Sequence, residues 1–213
     1  MITPAVYPSG VVDDAADAHL ARSDAVMADL VARLGPIIPP EVTVPPDMFG
    51  SLIMAIVRQQ LAAGAATAIY DRLLHYFGDR VPAPEALLSA GPQLRTTVGL
   101  SHAKDRTMRA LAQRISSGEL DLDRLPSLSD EEVARALTSV TGIGAWTAGV
   151  FLMFRLKRPD ILLAGDLGIR RAAQLAYRLD ELPRPKALEA IAAPWRPYRT
   201  RGCHYLWAFL ASG

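Results

Sequence analysis

Apolar residues recur at the spacing of an α-helix along most of this chain, and that periodicity limits the fold more than any other feature. Residues three and four apart share one face of a helix, whereas a half-buried strand requires strict alternation, which no stretch here sustains between hairpin turns. The longest apolar run, SLIMAIVRQQLAAGAATAIYDRLLHYF at 51–77, suits a central core helix or helix pair. We therefore predict an all-α protein.

Caps and helix breakers place the ends of the predicted helices. Gly35 ends the first helix, Gly78 ends the long apolar one, and Ser129 with Glu132 three residues later forms a capping-box pattern. The predicted helices are about 14–34, 47–76 (one helix or two), 84–90, 103–116, 130–140, 145–154, 167–179, 185–192 and 197–211, with a proline-rich linker at 36–46.

Cysteine content and hydropathy exclude several classes of protein. The single cysteine, Cys203, rules out an intramolecular disulfide, a four-cysteine zinc site and a cysteine-ligated iron–sulfur cluster. The N-terminus lacks the basic start and apolar run of a signal peptide, and no segment reaches the roughly 18 apolar residues of a membrane span. We expect a soluble, cytoplasmic monomer that does not bind membranes.

Charge is unevenly distributed along the chain. The net charge of +1 is far from the strongly basic balance typical of nucleic-acid binders. Residues 1–50 carry a net charge of −5, however, whereas the chain from Asp166 onward has eight basic and four acidic side chains. This asymmetry allows one face to approach phosphates while the molecule stays near neutral. Ordinary solvated helix faces would produce the same counts.

The segment LTSVTGIGAWTAG at 137–149 joins two predicted helices through Gly142, Ile143 and Gly144. Two glycines allow a tight turn and expose N–H groups to an anion at the start of the second helix, which predicts a phosphate site. A plain helix–helix turn would have the same local sequence. Free carbonyls of this loop can also hold a structural sodium or potassium ion, the candidate ligands being those of Thr138, Val140 and Ile143.

An aspartate stands 22 residues after Gly144, at the start of the helix in ILLAGDLGIRRAAQLAY. Taken alone, Asp166 fits an ordinary N-cap. Because it emerges from an apolar run, we expect its carboxylate to be partly buried, ionised by the helix dipole and directed into a cleft.

The ordered pair GIGAWTA and GDLGIRR resembles the helix-hairpin-helix Gly/Pro-Asp DNA glycosylases, and within them the 3-methyladenine-DNA glycosylase II, or AlkA-like, branch. The resemblance covers about residues 50–210. It implies two helical subdomains with a cleft between them and no N-terminal β domain. One subdomain would be 41–158, with the hairpin; the other would join 1–40 and 159–213.

The resemblance also implies roles in a reaction. The hairpin would bind DNA backbone phosphates, with Thr147 as a further contact, and Asp166 would be the catalytic residue. Members that also nick the strand carry a Schiff-base lysine two residues after the second hairpin glycine, where this chain has Trp146. A monofunctional enzyme is expected, hydrolysing the N-glycosidic bond of flipped 3-methyladenine or 7-methylguanine in duplex DNA without a required cofactor. Trp146 would stack on the base or belong to the core.

Three further stretches resemble the family. IVRQQLAAGAA at 56–66 places Gln59 near the base pocket and Gln60 or Leu61 as the wedge that fills the gap in the duplex; paired glutamines also occur as plain hydrogen-bonding surface. In GLSHAKDRTMRALA at 99–112, Lys104 and Arg106 are either phosphate contacts or solvated charges.

The third stretch, APWRPYRTRGCHYLW at 193–207, resembles the closing helix of the family. It places His204 where a stacking tryptophan is common and Trp207 one turn further on, both in the base pocket. Arg196 would have a structural role beside carboxylates. Two alternatives remain for the whole chain, a glycosylase of different base specificity and a non-catalytic hairpin module that binds DNA.

Overall fold

The computed structural model describes residues 14–37, 45 and 47–212, which form helices and connecting turns without any β-strand among them. The all-α prediction is confirmed for this part of the chain. No helix within it is long and apolar enough to cross a membrane. The α-helices are α1 Asp14–Ser23, α2 Ala25–Leu34, α3 Met48–Arg58, α4 Ala63–Tyr76, α5 Pro84–Ser89, α6 Gln93–Val98, α7 His102–Ser116, α8 Asp130–Thr138, α9 Ala145–Val150, α10 Leu167–Ala176, α11 Pro185–Ile191 and α12 Arg199–Ser212.

Contacts divide the chain into two compact units, a central unit of residues 43–156 and a terminal unit of residues 1–42 with 157–213. In the central unit, α3 packs against α4, α7 and α9. All residues of α3 from Phe49 to Val57 are buried, as expected for a helix that is apolar on every side. The long apolar run is therefore a helix pair, α3 and α4, with α3 as the core element.

The terminal unit is built from both ends of the chain. Here α1 and α2 pack against each other and against α12, which also packs on α10. Asp17 of α1 forms a buried ion pair with Arg201 of α12, at 2.6 Å from Oδ1 to Nε and 2.8 Å from Oδ2 to Nη2. Arg201 also donates to the Ile37 carbonyl at 2.7 Å. This network joins parts of the chain that lie far apart in the sequence.

Asp24 corrects the prediction of one helix over 14–34. Its carboxylate accepts from the N–H groups of Val26 and Met27, at 2.8 and 3.1 Å, and so caps a second helix, α2. The same side chain accepts from the Tyr177 hydroxyl at 2.6 Å and the Trp195 indole at 3.1 Å. Partners in the distant sequence thus hold Asp24 in the extended conformation that separates α1 from α2.

The remaining comparisons with the predicted helices concern local features. The predicted capping box is present, with Ser129 and Glu132 bonded reciprocally at the start of α8. Helix α6 was not predicted, and α9 passes into a π-helical turn at 151–155. Helix α10 ends before the predicted Leu179, because Arg178 is left-handed at φ 53° and the Leu179 N–H returns to the Gln174 carbonyl. The predicted linker lies mostly outside the described residues.

Candidate functional site

The Gly-Ile-Gly loop connects α8 to α9 in the central unit. Gly142 has a φ of +91°, in the left-handed region, and a Cβ there would overlap the Thr107 hydroxyl of α7. Ile143 donates its N–H to the Val140 carbonyl at 3.0 Å, which closes the turn. Glycine is therefore required at 142 both by the backbone conformation and by the approach of α7.

Gly144 differs from Gly142 in both respects. Its φ of −99° is ordinary extended backbone, and no atom lies within 4 Å of the position a Cβ would take. The first hydrogen bond of α9 runs from the Ala148 N–H to the Gly144 carbonyl, so the N–H groups of Gly144 and Ala145 precede the helical ladder. These two groups lie at the open end of the hairpin, where N–H groups at a helix start are available to an anion.

Ile143 and Thr147 were both predicted to contact DNA phosphates, and the structure shows that their side chains have other partners. The Ile143 side chain is buried and its N–H is bound to Val140, so Ile143 shapes the turn. Thr147 is 2% exposed and its hydroxyl accepts from the Gln59 side-chain amide. The Thr147 side chain therefore positions Gln59. Trp146, which directly precedes Thr147 in the sequence, is half-buried.

Gln59 links the end of α3 to the hairpin. Its Nε2 donates to the Gly142 carbonyl at 3.1 Å and to the Thr147 Oγ1 at 2.9 Å. The turn that follows brings the Leu61 N–H to the Arg58 carbonyl at 3.3 Å. Gln59, at φ −52° and ψ 124°, and Gln60, at φ 56°, occupy the two central positions of this turn. Such a type II turn favours glycine at the position of Gln60.

Gln60 is thus an exposed glutamine in a conformation that most side chains avoid, and Leu61 beside it is half-buried. Residues held in sparsely populated backbone regions are common at sites that contact ligands. Of the two predicted wedge residues, Gln60 is the one that projects into solvent.

Lys104 lies on α7, one turn before Thr107, and residues three apart share a face of a helix. Since Thr107 touches the hairpin at Gly142, Lys104 lies on the hairpin side of α7. Its side chain is half-buried, and burial lowers its pKa. Arg106 is exposed. In the terminal unit, Arg196 pairs with Asp160 at 2.8 Å.

Asp166 is the N-cap of α10 in the terminal unit. Its Oδ1 accepts from the Ile169 N–H at 2.9 Å and from the Trp207 indole N–H at 3.2 Å. Asp166 is only 6% exposed, so its carboxylate is held in one orientation within a largely buried setting. The helix N-terminus and the two N–H donors stabilise its negative charge.

Gly168 makes room for the Asp166 carboxylate beside the Trp207 indole. A Cβ at this position would lie 3.1 Å from the Asp166 Oδ1 and 3.6 Å from the Trp207 Nε1. The structure thus brings together Asp166, Trp207 and His204, whose ring stacks on Trp207 with centroids 6.1 Å apart. Trp207 and His204 are 7% and 6% exposed, respectively. His204 therefore supports the tryptophan that holds the carboxylate.

Burial lowers the pKa of His204 to about 3, and the positive charges of Arg201 and Lys157 act in the same direction. The folded pKa lies below the ordinary 6.5, so below pH 6.5 the unfolded chain binds a proton that the folded chain excludes. Stability is therefore lost as pH falls from about 6.5 towards 3, at about 1.4 kcal/mol per pH unit for one proton.

We expect the wild-type protein to lose about 2 kcal/mol more unfolding free energy than His204→Gln between pH 7 and pH 5. Urea unfolding at the two pH values measures this difference. Parallel losses in the two proteins would contradict a neutral, buried His204.

Thr107 and Gly168 are the residues of these sites that sequence reasoning missed. Gly168 carried a signal, because glycine is unfavourable inside a helix and this one stands two residues after Asp166. Thr107 carried none, since its partner, Gly142, is distant in the sequence and the contact is steric.

The chain matches the family model of HhH-GPD superfamily base excision DNA repair proteins over residues 53–197. It is 29% identical over 167 residues to Bacillus subtilis YfjP, covering 76% of this chain but only 58% of that protein. The solved structure of Schizosaccharomyces pombe 3-methyladenine DNA glycosylase Mag1 with abasic DNA matches at a TM-score of 0.84 and 30% identity, covering 91% of this chain and 95% of that one. DNA-3-methyladenine glycosidase from Bacillus halodurans matches at a TM-score of 0.79 and 32% identity, covering 94% and 91%.

Proposed function

The chain belongs to the HhH-GPD superfamily of base excision DNA repair proteins, and we propose that it is a monofunctional DNA glycosylase that releases alkylated bases from duplex DNA. Bases of the 3-methyladenine and 7-methylguanine type are the proposed substrates. The observation that carries this proposal is the buried Asp166 carboxylate, fixed at the start of α10 by the Ile169 amide and the Trp207 indole.

Asp166 suits a reaction in which positive charge develops on a sugar. A purine methylated at N3 or N7 is already cationic, so it leaves with the electrons of the bond from C1′ to nitrogen and becomes neutral. The sugar then resembles an oxocarbenium ion, as in other glycoside hydrolyses. A fixed carboxylate stabilises that charge without reorganising. Water adds to C1′ and loses a proton, which leaves an abasic site and a free base.

Strand cleavage through a Schiff base requires an amine at the hairpin. The position that holds this lysine in lyase-active members is Trp146 here. We propose that the half-buried indole stacks on the extruded base, where a cationic methylated purine gains a cation–π attraction. Gln59, His204 and Trp207 complete the proposed set of pocket residues.

The open end of the hairpin is the proposed phosphate site, with the N–H groups of Gly144 and Ala145 as donors and Lys104 nearby on α7. A structural sodium or potassium ion fits the chemistry of the same loop. The Val140 carbonyl, which accepts from Ile143, keeps a second lone pair, and carbonyl oxygens suit hard cations. The carbonyls of Thr138, Val140 and Ile143 would hold this ion against the DNA backbone.

Gln60 is the proposed wedge. We expect Gln60→Gly to keep the unfolding free energy within about 1 kcal/mol, because glycine accepts the left-handed turn. Excision from duplex DNA should fall about tenfold and excision from single strands should not, since only the duplex must be unstacked. Single-turnover excision on both substrates tests this. If Leu61→Ala lowers the duplex rate and Gln60→Gly does not, Leu61 is the wedge.

The function itself is tested by incubating the purified protein with duplexes that carry one methylated, deaminated or mismatched base. Release of free methylated purine, with strand breaks only after alkali, is the expected result. Release of uracil or of mismatched adenine alone would assign another specificity. Binding of every duplex without release of any base would identify a non-catalytic hairpin protein.

A further inference from the structure

Arg58, the last residue of α3, is a cation that lacks a polar partner within the described part of the chain. Its side chain is half-buried, and its Nε is shielded from solvent without a hydrogen bond. Two other arginines of the central unit have polar partners: Arg72 donates to the Val98 carbonyl at 2.9 Å, and Arg109 pairs with Asp105 at 3.1 Å. The Nε of Arg114 is also shielded without a partner, but its terminal nitrogens bond Ser139 and Glu119. Arg58 differs from these three in combining a shielded Nε with the absence of any polar partner for its guanidinium group among the described residues.

Shielding a guanidinium nitrogen without a hydrogen bond is unfavourable. Desolvation by burial lowers the pKa of Arg58, and no carboxylate opposes that effect. The C-terminus of α3 offers a favourable helix dipole, but a dipole does not fill the hydrogen-bonding capacity of Nε. An arginine retained under these conditions is suited to an anion that arrives from outside the protein.

The position of Arg58 indicates which anion this is. The next residue, Gln59, is bound to the Gly142 carbonyl and the Thr147 hydroxyl, so Arg58 stands one residue from the hairpin contact. It also opens the turn that presents Gln60. A planar guanidinium with several N–H donors matches two oxygens of a phosphodiester.

We propose that Arg58 binds a DNA phosphodiester group beside those held by the hairpin, and that this contact supplies the partner its guanidinium lacks in the free protein. The inference rests on the proposed function insofar as it requires DNA to occupy the hairpin. Arg58 would be a DNA contact separate from the loop of Gly142, Ile143 and Gly144 and from Asp166.

Two variants test the proposal. Arg58→Met keeps the apolar stem without the charge, and Arg58→Lys keeps the charge. Binding is measured by fluorescence anisotropy on a duplex with a stable abasic-site analogue over a range of salt concentrations, so that catalysis is not involved. We expect Arg58→Met to bind about tenfold more weakly than the wild type. The salt slope, that of the logarithm of the binding constant against the logarithm of the salt concentration, should become less steep by about 0.9, the value for one phosphate contact. Arg58→Lys should retain the slope.

Thermal unfolding supplies the second readout. Removal of an unpartnered, half-buried charge should leave the Tm of Arg58→Met equal to or above that of the wild type. Arg72→Met is the matched control: it loses a hydrogen bond to Val98, so its Tm should fall while its salt slope stays unchanged.

A lower Tm for Arg58→Met, with wild-type affinity and salt slope, would overturn the proposal by showing that the arginine only supports the end of α3. An equal decrease of the salt slope in Arg58→Lys and in Arg58→Met would also overturn the proposal. The positive charge would then not be the cause, because Arg58→Lys keeps it. A wild-type protein that binds the abasic duplex but releases no methylated base refutes the proposed function alone, since this measurement does not depend on catalysis.

Discussion

Asp166→Asn is expected to lower the rate of base release about a thousandfold or more while DNA affinity stays within a few-fold of wild type. The amide oxygen can still accept from Ile169 and from Trp207, so the cap and the fold are retained. The negative charge that we propose faces the developing oxocarbenium ion is lost. Single-turnover release from a duplex with one 7-methylguanine measures the rate, and anisotropy on an abasic-site analogue measures the affinity.

Two controls define what this result means. Asp166→Ala also removes the cap and should lower the unfolding free energy by about 1 kcal/mol, which separates catalysis from stability. Trp207→Phe removes the indole N–H but keeps an aromatic ring, although a smaller one, and leaves the Asp166 charge in place, so its rate should fall less than that of Asp166→Asn. Wild-type release by Asp166→Asn would show that Asp166 is only a helix cap.

Gly142→Ala is expected to destabilise the protein by about 3 kcal/mol. A left-handed alanine costs about 1–2 kcal/mol, and overlap of its methyl group with Thr107 adds about as much. The change also shifts the carbonyl that accepts from Gln59, so the turn at Gln60 should loosen. Urea unfolding measures the loss, and proteolysis at the turn gives a local readout.

Gly144→Ala is the matched control for Gly142→Ala. Its backbone is extended and its surroundings are open, so the cost should stay below about 1 kcal/mol. A methyl group there stands where a phosphate would approach, and DNA affinity should fall without loss of stability. Thr107→Ala in the Gly142→Ala background should restore much of the steric part of the loss and none of the backbone part, because the Thr107 hydroxyl and methyl group are removed while its Cβ stays 2.9 Å from the new one. Equal destabilisation by the two alanines would contradict the distinct roles of these glycines.

Local features of this fold were predictable from the sequence because their partners lie within one helical turn. The capping box of Ser129 and Glu132 depends on residues three apart, and Asp166 bonds the N–H three residues on, so both helix starts follow from short patterns. The all-α class followed from apolar spacing in the same way.

Features that depend on distant partners were not predictable. Nothing near Asp24 in the sequence shows that Tyr177 and Trp195 will bind its second oxygen, so one long helix was predicted in place of two. The bonds from Gln59 to the hairpin and the steric demand of Thr107 on Gly142 arise only when helices pack. The sequence therefore identified candidate residues more readily than their neighbours.

The buried pair of Asp17 and Arg201 has a consequence for the order in which this protein matures. Synthesis on the ribosome proceeds from the N-terminus, so Asp17 of α1 cannot pair with Arg201, 184 positions later, until the chain between them and α12 itself have emerged. The central unit is contiguous and can fold earlier. A nascent chain can thus form the hairpin before Trp207 is available to hold the Asp166 carboxylate.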